Sequence, residues 1–228
     1  MQFTDRLFTK VAPVWQSYLE HPFVKGIGDG TLAHDKFIHY MKQDYIYLIE
    51  YARVFALGAA KANDLKTMTL FANLLHGTMN FEMDLHRDYA KQFGITPEEL
   101  EATEPSATMT SYTSYMLSQA QLGGVENTIA AVLACAWSYN WIGTALAKIP
   151  NTTSHEFYGN WVRMYASEEF SALANDTIAM MNDVARDLPE HKLQQLETIF
   201  ITTCYYEYMF WEMAETKAMW PLPALAHH

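Results

Sequence analysis

Three observations predict an all-α fold for this chain. Apolar residues recur at the three- and four-residue spacing of a helix face along most of its length. No segment alternates apolar and polar residues at the two-residue period of a half-buried strand. Proline, glycine and small polar residues divide the chain into about eight helices joined by short loops. One stretch organises the rest. Ala130 to Gly143 is apolar, uncharged and rich in small residues, so it belongs deep in the core. Cys135 and Tyr139 lie one helical turn apart within it and share a face.

In chain order, Phe3 to about Glu20 reads as a helix with the stripe Leu7, Val11, Val14 and Tyr18, and Pro13 should kink or break it. His21 to Thr31 holds three glycines and a proline and reads as a loop. It does not follow a strand and lacks a Lys-Ser/Thr pair after glycine, which excludes a phosphate-binding loop. His34 to about Ala62 is a long helix, and Asn63-Asp64 breaks and recaps the chain. Leu65 to about Phe93 reads as one helix closed by Gly94. Thr96-Pro97-Glu98-Glu99 is a capped helix start. Further helices run from Pro105-Ser106 to Gln121, from Glu126 to about Lys148, from His155 to Tyr165, from about Ala166 to Asp187, and from Glu190 to about Ala218. Residues 1–222 are expected to form one all-helical domain, with 223–228 a tail.

Composition narrows the function classes. The chain has 228 residues, half of them hydrophobic by the 50% figure, so it can bury a large core. A net charge of -11 argues against nucleic-acid and anionic-membrane partners, both of which need a basic face. With only Cys135 and Cys204, and both in apolar helical sequence, a disulfide scaffold is not expected and a reducing cytoplasm is the default. No basic region followed by an apolar run marks a signal peptide, and no stretch reaches ~18 consecutive apolar residues. Aromatic residues are abundant, with 14 Tyr, 12 Phe and 6 Trp. Most suit core packing, and a subset suits a site for a flat ligand.

Three groups stand out as chemistry. Cys135 has the inert packing of a buried thiol as its alternative, as does Cys204. Asp44 interrupts the apolar stripe Phe37, Tyr40, Tyr47, Leu48, Tyr51, so it must be paired or functional, a salt bridge to Lys or Arg being the structural alternative. Glu207 sits among Tyr205, Tyr206, Tyr208, Phe210 and Trp211, surroundings that raise a carboxyl pKa. Glu212 and Glu215 follow on other faces and are expected to be solvated. A di-iron site needs Glu-x-x-His on two helices, and the chain has no such pair. Glu82, Asp84 and His86 read as a solvated face rather than a metal site. His21, His34 and His39 read as ordinary hydrogen-bonding histidines rather than haem ligands.

Five stretches, taken together and in order, carry a resemblance. They are His21-Pro22-Phe23-Val24 with Gly26 to Leu32; Gln43-Asp44-Tyr45-Ile46-Tyr47-Leu48; Ser111-Tyr112-Thr113-Ser114-Tyr115-Met116; Cys135-Ala136-Trp137-Ser138-Tyr139; and Tyr205 to Ala214. The chain closely resembles the TenA family of thiaminase II or aminopyrimidine aminohydrolase enzymes, from about Phe3 to Trp220. The resemblance implies a haem-oxygenase-like helical fold without haem, no metal or other cofactor, and a homotetramer. It also implies hydrolysis of 4-amino-5-aminomethyl-2-methylpyrimidine to the hydroxymethyl compound in thiamin salvage, and cleavage of thiamin. Carried over residue by residue, it implies Cys135 as nucleophile, Glu207 as the catalytic acid, and Asp44, Tyr47, Tyr112, Tyr139 and Tyr165 as substrate-binding residues. Ala136 and Ser138 depart from the bulkier residues often found there, which bears on pocket shape. Two readings stand beside it: a non-enzymatic regulator or pyrimidine-binding protein, and a metal- or haem-dependent oxidase on the same scaffold.

Overall fold

The computed structural model describes residues 2–222, and the expected tail at 223–228 lies outside the described residues. Among them are eleven α-helices and no strand. The helices are α1 (Phe3–Glu20), α2 (Pro22–Asp29), α3 (His34–Lys61), α4 (Leu65–Gly77), α5 (Met83–Gln92), α6 (Pro97–Glu101), α7 (Ala107–Leu122), α8 (Val125–Leu146), α9 (Gly159–Tyr165), α10 (Glu168–Ala185) and α11 (Glu190–Thr216). A π-helical turn, Thr78–Glu82, joins α4 to α5, and a short 3₁₀ turn, Thr152–Ser154, precedes α9.

Most caps are those the sequence specifies. Asp64 accepts from the Thr67 amide at the start of α4, and Thr96 and Glu99 form a reciprocal capping box on α6. Ser106 and Ser167 cap α7 and α10. Helix α1 runs through Pro13 without a break and buries Leu7, Val11, Trp15 and Tyr18.

Three expectations are corrected. The stretch His21–Thr31 is not a loop but contains α2. His21 Nδ1 accepts from the Phe23 amide, Pro22 occupies the first turn, where its missing N–H costs nothing, and Gly30 closes the helix at φ 78°. The stretch Leu65–Phe93 is not one regular helix, because the π turn adds a residue to the ladder and rotates α5 relative to α4. His155–Tyr165 is helical only from Gly159. His155 instead accepts from the amides of Phe157 and Tyr158 and turns the chain.

Helix α8 is the axis. Of its twelve consecutive residues from Thr128 to Tyr139, all but Trp137 are buried, and α1, α3, α7, α9, α10 and α11 pack around it. By length and composition α8 is apolar enough to cross a membrane, but 72% of its most apolar window is buried inside the fold, as befits a core helix. Its small residues let the neighbouring helices approach closely. At Gly143 a methyl group would stand 2.7 Å from the Tyr165 carbonyl carbon and 3.0 Å from the Ala166 amide nitrogen. Gly143 therefore fixes the approach of α9, the helix that carries Tyr165.

Gly143→Ala is expected to destabilise the protein by about 1–3 kcal/mol, the usual cost of overpacking. That lowers Tm by about 2–4 °C per kcal/mol in a chain of this size. Gly77→Ala is the control: its added methyl meets nothing nearer than Leu173 at 4.0 Å, and Tm is expected to hold or rise. Thermal unfolding followed by helical circular dichroism measures both.

Candidate active site

Seven elements deliver buried polar groups to one region around α8. Helix α3 supplies Asp44, Tyr47 and Tyr51, the π turn Glu82, and α5 His86. Helix α7 supplies Tyr112, α8 Cys135 and Tyr139, and α11 Glu207; Tyr165 arrives from α9. Every one of these side chains is buried. The structure thus brings together all seven residues singled out in the sequence: Cys135, Glu207, Asp44, Tyr47, Tyr112, Tyr139 and Tyr165.

Asp44 is paired, but not to Lys or Arg as the structural alternative supposed. Its Oδ2 lies 2.7 Å from His86 Nε2. His86 Nδ1 stands 2.8 Å from the Glu82 carbonyl oxygen. A carbonyl only accepts, so Nδ1 carries a hydrogen, and one further proton lies between Nε2 and Asp44. Burial alone would lower the His86 pKa, but the hydrogen bond and charge of Asp44 outweigh it and raise it.

Glu207 accepts a hydrogen bond from the Tyr112 hydroxyl at 2.5 Å. Burial nevertheless pushes its pKa up to about 8, with the Tyr112 bond working against the rise and the Asp44 charge adding to it. Glu82 is likewise pushed up to about 7, by burial first and then by Asp44, with His86 opposing. Its Oε2 accepts from the Thr78 hydroxyl at 3.2 Å. Glu82 and His86 correct the sequence reading, which put them on a solvated face; Asp84 does remain exposed and pairs with Arg87. Burial pushes the Cys135 thiol well up, and the charges of Glu207, Glu82 and Asp44 add to it, while the Tyr47 hydroxyl stabilises the thiolate. The sulfur therefore lies within the field of all three carboxyl groups.

Aromatic rings wall the region. Tyr139 packs against Tyr165 at 4.8 Å and Trp211 at 5.1 Å between ring centroids. Its hydroxyl accepts from Tyr40 at 3.3 Å, and Tyr40 in turn accepts from Trp161 Nε1 at 3.1 Å. Tyr47 packs on Tyr51, Tyr112 and Phe210. Tyr51 donates to the Val132 carbonyl, one turn before Cys135.

A void of about 10 Å³, the size of a single water, is bounded by Cys135, Tyr51, Glu82, Thr78, Phe170 and Leu173 among others. Of the seven sequence-chosen residues only Cys135 lines it. Outside it lies a groove of about 660 Å³, and Glu82, Phe170 and Leu173 line both spaces. These three side chains are the partition between solvent and the thiol.

The remaining candidates have structural surroundings. Cys204 is buried and accepts from Trp15 Nε1 at 3.3 Å. His21 caps α2 and faces Glu212, His34 stacks on Phe157 at 3.9 Å, and His39 approaches the Met213 sulfur. Glu212 is exposed as expected, whereas Glu215 is half-buried against Lys36.

This arrangement is similar to that of known proteins along nearly its whole length. The chain is 54% identical over 220 residues to the aminopyrimidine aminohydrolase of Halalkalibacterium halodurans, covering 96% of this chain and 98% of that one. It is 43% identical to the aminopyrimidine aminohydrolase of Helicobacter pylori, covering 94% and 99%. Among solved structures, a TenA homologue from Pyrococcus horikoshii OT3 superposes with a TM-score of 0.86 at 28% identity, covering 95% and 99%. A Shewanella denitrificans domain with a haem-oxygenase-like fold matches at 0.75 and 16% identity, covering 94% and 92%, and speaks to the fold alone. Residues 8–217 match the model of the TENA/THI-4/PQQC family, and on that match and these identities the chain belongs to this family.

Proposed function

We propose that the protein is an aminopyrimidine aminohydrolase of the thiaminase II type. It hydrolyses 4-amino-5-aminomethyl-2-methylpyrimidine to the hydroxymethyl compound in thiamin salvage, and it also cleaves thiamin into its pyrimidine and thiazole halves. The near-full-length identity to aminopyrimidine aminohydrolases supports this. The observation that carries it is a buried thiol, Cys135, bordering a void and held within the field of Glu207, a carboxyl whose proton is retained to about pH 8.

Direct displacement at the exocyclic carbon is slow, and a covalent adduct splits it into easier steps. The Cys135 sulfur adds to the electron-poor ring as a ring nitrogen gains a proton. Burial keeps the free thiol protonated, so the proton that sulfur gives up is matched by the one the ring takes, with Glu207 as the carrier. The exocyclic C–N bond then breaks; the amine leaves with the bonding pair and a proton, giving an exocyclic alkene. Water adds to that carbon, the C–S bond breaks, and ring aromaticity returns. The sum is aminomethylpyrimidine plus water giving hydroxymethylpyrimidine plus ammonia. Asp44, locked by His86, reads the donor and acceptor edge of the aminopyrimidine. Tyr47, Tyr112, Tyr139 and Tyr165 form the walls against the flat ring. In this scheme the chain needs no metal or other cofactor, and we read it as one domain of a cytoplasmic homotetramer, the tetramer resting on the family resemblance and the cytoplasm on two cysteines that are both free.

Cys135→Ser is expected to abolish turnover of both substrates while retaining the fold and pyrimidine binding; full activity in a steady-state assay would remove covalent catalysis. Glu207 must be protonated to donate, so kcat is expected to fall as pH rises through about 8. Glu207→Gln should lower kcat by roughly 100-fold or more and lose that alkaline limb. A pH–rate profile with the limb intact in the variant assigns it to another group.

A further inference from the structure

The three buried carboxyls of the site are not equivalent. Asp44 is locked on His86, and Glu207 is held by the Tyr112 hydroxyl. Glu82 has only the Thr78 hydroxyl on Oε2 at 3.2 Å, and among the described residues its Oε1 has no hydrogen-bond partner. Its side chain is nonetheless more than nine-tenths buried, being 6% exposed. It is also the one carboxyl of the three that lines both the void beside Cys135 and the outer groove.

The groove leading to it is acidic. Asp84, Asp88 and Glu169 line it with Glu82, and its linings include no Lys or Arg and a single histidine, His76. Arg87 reaches Asp84 from beside it, leaving Asp88 and Glu169 without an ion pair among the described residues. This groove thus favours a positive group, most of all at Glu82, whose burial leaves a charge interaction less screened than at the exposed carboxylates.

We infer that Glu82 contacts the substrate, its carboxylate holding the positive charge carried by the substituent at the pyrimidine 5-position. This rests on the function proposed above. Both substrates of that reading carry such a charge at the bond to be broken: an ammonium in the aminomethyl compound and a thiazolium in thiamin. The hydroxymethyl product is neutral there, so conversion removes the charge that Glu82 holds and weakens the grip on the product. Asp44 and Glu207 are poorly suited to this task, since each already spends a carboxyl oxygen on a short buried bond. The π turn is what makes it possible: it carries Thr78 and Glu82 together and aims Glu82 into the partition.

The test compares charged and neutral ligands. Binding of the aminomethylpyrimidine and the hydroxymethylpyrimidine is measured by calorimetry on Cys135→Ser, with and without Glu82→Gln, a change that keeps shape and removes charge. The added Glu82→Gln is expected to weaken the aminomethyl compound by about 10- to 100-fold, the scale of a lost hydrogen bond to a charged group. Affinity for the hydroxymethyl compound should change by less than about twofold, well inside the error of one such bond. Glu82→Asp, which keeps the charge on a shorter arm, should restore part of the loss. Equal weakening of both ligands makes Glu82 a structural residue and overturns the inference, and so does no weakening of either. Turnover by the wild-type protein is measured alongside: its absence would overturn the proposed function itself, whereas turnover with charge-blind binding would overturn only the role of Glu82.

Discussion

Three carboxyl groups and one imidazole are buried together beside a thiol, and the rest of the structure is arranged to tolerate this. None of the ion pairs among the described residues brings a Lys or Arg to Asp44, Glu82 or Glu207. Desolvated carboxylates without cations are costly, and the protein meets that cost by retaining protons: burial raises both Glu82 and Glu207 above the ordinary carboxyl range. The imidazole is assigned to Asp44 alone. The free site is consequently a store of protons and a sink for positive charge. A basic, cationic aminopyrimidine satisfies both properties, bringing the charge the carboxyls lack and taking up the protons they hold.

The backbone solves the problem of assembling these groups with local devices. Small residues along α8 admit six neighbouring helices around one axis, and Gly143 sets the distance of the helix that carries Tyr165. The π turn between α4 and α5 changes the phase of the following helix. His86 then reaches Asp44 while the Glu82 carbonyl, one turn earlier, fixes the His86 tautomer. The hydrogen-bond chain from Trp161 Nε1 through Tyr40 to Tyr139 likewise satisfies buried polar groups.

Much of this was legible in the sequence because the signals were misfits. An aspartate in an aromatic stripe, a glutamate flanked by tyrosines, and a thiol in an uncharged small-residue helix each violate the usual sorting of polar and apolar residues, and all three are buried at the site. Glu82 and His86 escaped because Glu82-Met83-Asp84-Leu85-His86-Arg87 alternates apolar residues with charged ones and looks solvated. Only the π turn, a feature without a sequence signature, selects which of those charges points inward. The α2 helix escaped for a different reason: its glycines were read as breakers, yet a histidine cap and an N-terminal proline outweigh two interior glycines in so short a helix.

The partition formed by Glu82, Phe170 and Leu173 joins the charge argument to access. A void of about 10 Å³ is far below the ~300 Å³ lower end of small-molecule pockets, so a pyrimidine ring beside Cys135 requires side chains to shift. The residues shared by the void and the groove stand between the two spaces. Two of them are apolar and come from α10, while the third is a carboxyl on the π turn. Displacing the apolar pair loses contact with the core, and a cation reaching Glu82 offsets that loss by ion pairing in a poorly hydrated place. A neutral molecule of the same shape gains nothing from Glu82 and meets the same barrier. Selectivity for a charged substituent and protection of the thiol from solvent therefore come from one and the same wall.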